Sequence, residues 1–198
     1  MKYKNASIIQ KFMEHIRDFD TENFIRSILF CFAAPTIKGI KAACLINFRR
    51  DREDIRTIWK MNADRWLSPF GVDWLLLNEN GIADNALVLV YRRELLARAL
   101  GCEGACEILR NCGYPLDDLD ACLRCLRRKI GGAFPHEIGL FLDYPPDDVK
   151  CFMENKKCEN QLRNGYWKVY GNVREAMEIS RKYRKAECDA ARSIMAGK

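Results

Sequence analysis

Strand-like sequence in this chain is concentrated in one stretch, and that restricts the folds open to it. Ala42, Cys44, Ile46 and Phe48 alternate with Ala43, Leu45, Asn47 and Arg49, the two-residue period of a half-buried strand. Two more apolar runs of strand length, Val72 to Leu77 and Ala86 to Tyr91, flank the turn-forming Asn78-Glu79-Asn80-Gly81 and predict a hairpin. A fourth short strand is expected in the glycine-bounded aromatic run from Gly165 to Gly171. Because strands cluster in the first half and helices in the second, the pattern predicts an α+β fold and not a doubly wound sheet. The expected architecture is a small, mostly antiparallel sheet of about four strands covered by helices.

Helical periodicity fills the rest. Ser7 is placed to cap a helix carrying Ile9, Phe12, Met13, Ile16 and Phe19, and Asp20 or Thr21 starts a second with Phe24, Ile25, Ile28, Leu29 and Phe32 on one face. That helix should stop before Pro35, leaving 33–41 as a loop. A helix opening in the charged segment Arg49 to Asp54 carries Ile55, Ile58, Trp59 and Trp66 and is closed by Pro69 and Gly71. Further helices are expected over Glu94 to Leu100, Glu103 to Cys112, Leu116 to Ile130, His136 to Leu142 and Asp147 to Asn155. A long helix with the stripe Ala176, Ile179, Tyr183, Ala186, Ala190 and Ile194 closes the chain, its outer surface rich in Arg and Lys.

At 198 residues, with no linker or repeat, the chain is expected to be a single domain over 1–198. No apolar run reaches the ~18 residues of a membrane span, and the first residues lack an export signal, so a cytoplasmic protein is expected. Its ten cysteines should then remain thiols. Lys and Arg exceed Asp and Glu by 33 to 27, an excess that weakly favours an anionic partner and does not indicate nucleic acid.

Several constellations could carry chemistry. Cys122-x-x-Cys125 with Cys102 and Cys106 offers four thiolates for zinc or an iron–sulfur cluster. Set against that, Cys122 shares a helical face with Leu119, Leu123 and Leu126, where cysteine packs as a small apolar residue. His136 and Glu137 bring an imidazole and a carboxylate to a helix start, suited to anion binding or proton transfer; the bland alternative is a proline-initiated helix with a local hydrogen bond. Thr36, Lys38 and Lys41 set a hydroxyl and two ammonium groups around Gly39, a combination that suits phosphate or carboxylate, although no Walker pattern is present. Arg92 closes the third strand, and Trp167, Lys168 and Tyr170 interleave rings with a base. No familiar catalytic motif occurs, so the sequence leaves open whether the protein is an enzyme and which cofactor it takes.

Three segments carry a resemblance: Ala34-Pro35-Thr36-Ile37-Lys38-Gly39-Ile40-Lys41, then Phe134-Pro135-His136-Glu137-Ile138-Gly139 continuing to Tyr144-Pro145 and Asp148-Val149, and Gly165-Tyr166-Trp167-Lys168-Val169-Tyr170. Over nearly its whole length the chain resembles an uncharacterised bacterial family carried as a domain of unknown function. The resemblance implies a tilt toward iron, heme or redox metabolism. It also implies a cysteine just before the Gly-Tyr-Trp segment, where this chain has Arg163 and Asn164, with Cys158 further off. The leading expectation is a small-molecule-binding protein or enzyme for an anionic metabolite, heme or an iron-related ligand. Its site would join Thr36 to Lys41, Arg92, His136, Glu137 and Trp167 to Tyr170. The alternatives are a protein-interaction or regulatory module and a cysteine-ligated metal site.

Overall fold

The computed structural model describes residues 2–49, 55–78, 85–130, 134–155, 162–163 and 165–197. The segment 50–54, the 79–84 connection, Gly131, Cys158 and Asn164 lie outside the described residues. The fold is α+β. Strands β1 (Ala43–Arg49), β2 (Asp73–Leu76) and β3 (Asn85–Tyr91) form an antiparallel sheet in the order β1-β3-β2, with Ala43 opposite Tyr91 and Asp73 opposite the same residue.

The expectation of about four strands is refined. The aromatic segment contributes β5 (Lys168–Val169), which pairs with β4 (Leu162–Arg163) in a separate two-stranded ladder instead of extending the main sheet.

Helices α1 (Lys2–Ile16), α2 (Thr21–Phe32), α3 (Ala34–Ile37) and α4 (Ile55–Leu67) precede or interrupt the strands. After β3 come α5 (Arg93–Leu100), α6 (Glu103–Asn111), α7 (Leu119–Ile130), α8 (Ile138–Phe141), α9 (Pro146–Met153) and α10 (Val173–Met195). Ser7 is not an N-cap, since α1 already starts at Lys2. Asp20 does cap α2, accepting from the Asn23 N–H at 2.8 Å.

Strand alternation makes the sheet a partition between two cores. Cys44, Ile46, Phe48, Val88 and Val90 face Phe12, Ile25, Leu29 and Trp59 of α1, α2 and α4. Their neighbours Ala43, Leu89 and Tyr91 face Leu96, Leu109, Leu126 and Phe141 of α5 to α8. A third, smaller cluster joins Trp167 and Val169 to Ala176 and Tyr183 on α10.

Residues 33–41, expected as a loop, contain α3 instead. Proline cannot continue α2, but its fixed φ and missing N–H cost nothing in the first turn of a new helix. Gly39, at φ 68°, then ends α3 in the left-handed region, and the N–H groups of Ile40 and Lys41 both turn back onto the Pro35 carbonyl at 2.8 and 3.2 Å. This reversal delivers Lys41 into the interior at the head of β1.

Candidate functional site

Lys41 is 5% exposed. Its backbone is pinned by neighbours: the Ala42 N–H donates to Asp143 Oδ2 at 3.0 Å, and the Ala42 carbonyl accepts from the Arg92 N–H at 2.9 Å. Its ammonium lies over the rings of Tyr183, Tyr144 and Tyr166, at 5.0, 5.3 and 5.6 Å from their centroids. Among the described residues it makes no hydrogen bond and no ion pair. Ring faces attract a cation but do not replace the acceptors that water would give it. Burial accordingly lowers its pKa, against the opposing pull of Cys44, Glu187 and Asp143.

The acids nearby are held the other way. Burial raises the pKa of Glu187, although its carboxylate accepts from the Tyr166 hydroxyl at 2.8 Å and feels Lys41 and Arg184. Burial likewise raises Asp143. The Tyr144 hydroxyl is pushed up to about 12 and donates to the Tyr166 carbonyl at 3.1 Å. Burial pushes the Cys44 thiol up to about 11 and the Cys31 thiol up to about 12, which argues against either acting as a thiolate. Above this group lies a cavity of about 610 Å³, bordered by Lys41, Cys44, Glu187 and Tyr166 on its polar side and by residues such as Met13 and Phe32 on its apolar side.

A second cavity, of about 270 Å³, shares Tyr144 and Tyr166 as a common wall and is bordered by His136, Phe152, Trp167 and Lys168. Its frame is Asp148, 3% exposed, which accepts from Trp167 Nε1 at 2.7 Å, from the Tyr170 N–H at 2.7 Å and from the Gly171 N–H at 2.8 Å. Trp167 stacks on Tyr144 with centroids 4.9 Å apart. His136 meets the Phe152 ring edge-on at 5.0 Å, and the Lys168 ammonium sits 5.4 Å from the same ring.

The residues expected in one site are therefore divided. Lys41 lines the larger cavity, while His136, Trp167 and Lys168 line the smaller. Arg92 serves the fold. Its guanidinium donates to the Thr36 carbonyl at 2.8 Å and to the Ile37 carbonyl, satisfying the end of α3. The Thr36 side chain is fully buried and among the described residues its hydroxyl makes no hydrogen bond of ordinary geometry; its proximity to Cys44 only partly offsets the burial of that thiol.

Lys38 is exposed and borders a different surface depression with Phe30 and Phe70. Glu137 points away from His136, accepting from the Tyr114 hydroxyl at 3.1 Å and lying 3.6 Å from the Lys129 ammonium. Tyr170 contributes its backbone N–H to Asp148.

Cys122 and Cys125 are buried in the core beneath α7, Cys106 donates to the Leu100 carbonyl, and Cys102 is exposed. Among the described residues no group of three or more His, Cys, Asp or Glu side chains assembles to hold a metal.

Sequence reasoning missed Asp143, Glu187 and the cage role of Tyr183, which stand some 100 to 146 positions from Lys41. Helical spacing marked Tyr183 as core, and nothing in one sequence links it to Lys41.

Among the described residues no helix is long and apolar enough to cross a membrane. No curated protein and no solved structure matches the chain. A protein-family model described as "Protein of unknown function (DUF3793)" matches residues 29–198, a span that takes in Lys41, its three tyrosines, Glu187 and the Asp148 frame. The chain belongs to this family.

Proposed function

We propose that the protein binds a small anionic metabolite, a carboxylate or phosphate, in the cavity over Lys41. One observation carries the reading: an ammonium in the interior, bordering a cavity of about 610 Å³, has three aromatic rings around it and, among the described residues, no hydrogen bond or ion pair. A buried cation that serves the fold is normally paired and hydrogen-bonded, whereas a binding site keeps one valence for its ligand. An incoming anion supplies the missing counter-charge, and the Tyr166–Glu187 pair lies beside it with a hydroxyl and a carboxyl. Because Glu187 is a carboxyl whose neutral form burial favours, it opposes a bound anion less than an exposed glutamate would.

Isothermal titration with small mono- and dicarboxylates, inorganic phosphate and heme tests the proposal, with Lys41→Met as the control. The expected result is saturable binding of at least one anion, lost in the variant. Failure of every anion to bind, or equal binding by Lys41→Met, overturns it.

A further inference from the structure

The cavity over Lys41 follows the edge of a strand. Cys44, Leu45, Ile46 and Asn47 are consecutive in β1, and all four border it. Side chains alternate across a strand, so four successive residues share one cavity when it runs along the strand's edge and not over one of its faces. Among the described strands β1 stands at the edge, with β3 between it and β2.

The ladder fixes which backbone groups point outward. The Arg92 N–H donates to the Ala42 carbonyl, and Ala43 lies opposite Tyr91, so Cys44, Ile46 and Phe48 exchange hydrogen bonds with β3. The Leu77 N–H donates to the Leu87 carbonyl, so the odd-numbered residues of β3 bond β2, in agreement. By the same parity the N–H and carbonyl groups of Leu45 and Asn47 point away from the sheet along the cavity, where the described residues give them no backbone partner. Free strand edges are normally covered or blunted. This one is walled by Met13 of α1, Phe32 of α2 and Tyr166, yet no strand among the described residues pairs with it.

We propose that the ligand of this cavity is peptide-like: a short extended peptide that adds antiparallel to β1 and presents its C-terminal carboxylate to Lys41. The inference rests on the anion reading above and specifies its ligand. Lys41 precedes the N-terminal end of β1, so antiparallel addition is the arrangement that carries a peptide's C-terminus to it. The outward groups of Leu45 and Asn47 then pair with the peptide main chain, the mode by which extended peptides join open sheet edges. From Ala43 to Asn47 the edge spans four rises of ~3.4 Å, room for a peptide of about four residues. The apolar wall of Met13, Ile28, Phe32 and Leu142 suits apolar side chains.

The test is calorimetry on the full chain with three probes: an N-acetylated tetrapeptide of leucine and alanine as the free acid, its C-terminal amide, and an acid analogue N-methylated at alternate amides. The free acid should bind, the amide and the N-methylated form should each bind about tenfold or more weakly, and Lys41→Met should abolish the difference between acid and amide. Equal binding of the N-methylated acid overturns pairing with the β1 edge, and equal binding of the amide overturns carboxylate capture by Lys41. If acetate or phosphate binds while no peptide binds more tightly, the peptide inference fails and the anion reading stands. If nothing binds, both fail.

Discussion

Two buried charges lie on either side of the Tyr144–Tyr166 wall, and they are treated oppositely. Asp148, 3% exposed, is met by an indole N–H and two backbone N–H groups within 2.8 Å. Lys41, 5% exposed, is met by three rings and, among the described residues, by no hydrogen-bond acceptor. Removing a charge from water costs several kcal/mol unless hydrogen bonds replace the lost hydration. Asp148 has that replacement, and its carboxylate ties the 165–171 segment to α9; it is a structural charge. Among the described residues Lys41 lacks it, and on the proposed reading that place is kept for a bound anion. On that reading the contrast is between a charge that holds the protein together and one that is kept for a ligand.

The largest expected effect is on the satisfied side. Asp148→Ala strands three N–H donors at once and should cost about 3–5 kcal/mol in urea denaturation, because hydrogen bonds to a charged group are worth ~1.5–3 kcal/mol each and do not sum fully. A loss below about 1 kcal/mol would break the comparison. Trp167→Phe keeps a ring against Tyr144 but deletes the indole donor, and a loss of about 1.5–3 kcal/mol is expected by the same measurement.

Glu187→Gln should act through pH. The folded-state pKa of Glu187 is raised above 4.5, so its contribution to stability is fully present below pH 4.5 and is lost as pH rises through the folded value. Melting temperatures of wild type and variant measured from pH 4 to 7 should therefore diverge, with the wild type falling relative to the glutamine variant as pH rises. Parallel curves would mean that Glu187 is solvated like a surface carboxylate.

Much of the scaffold is legible in the residues. The Asp20 cap, the alternation through Ala42 to Phe48 and the paired runs at 72–77 and 86–91 are local signals, and each leads to the element observed. The errors are local too. Pro35 reads as a terminator, yet it also starts α3, and the strand signal of the aromatic segment does not reveal that its partner is β4 instead of the sheet.

The candidate site is half legible. Lys41, His136, Trp167 and Lys168 stand out by residue type and neighbours, but spacing along the chain cannot sort them into two cavities. Nor can it show that Arg92 and Glu137 are occupied by the carbonyls of α3 and by Tyr114. The ammonium of Lys41 is defined by what does not touch it, and that is a property of tertiary packing alone.

The smallest expected change in stability is also the most direct test of the central claim that Lys41 serves a ligand and not the fold. Lys41→Met keeps the length of the side chain and removes the charge. The folded-state pKa of Lys41 is lowered below 10.5, so the wild type should gain stability as pH climbs through the window up to 10.5, a gain the methionine variant lacks. Thermal denaturation at pH 7 together with anion titration decides the matter. If Lys41 is held for a ligand, Lys41→Met is unchanged or more stable by about 1 kcal/mol and no longer binds the anion. A variant that is strongly destabilised yet binds as well as wild type would show that the tyrosine cage holds Lys41 for the fold, and would contradict that claim.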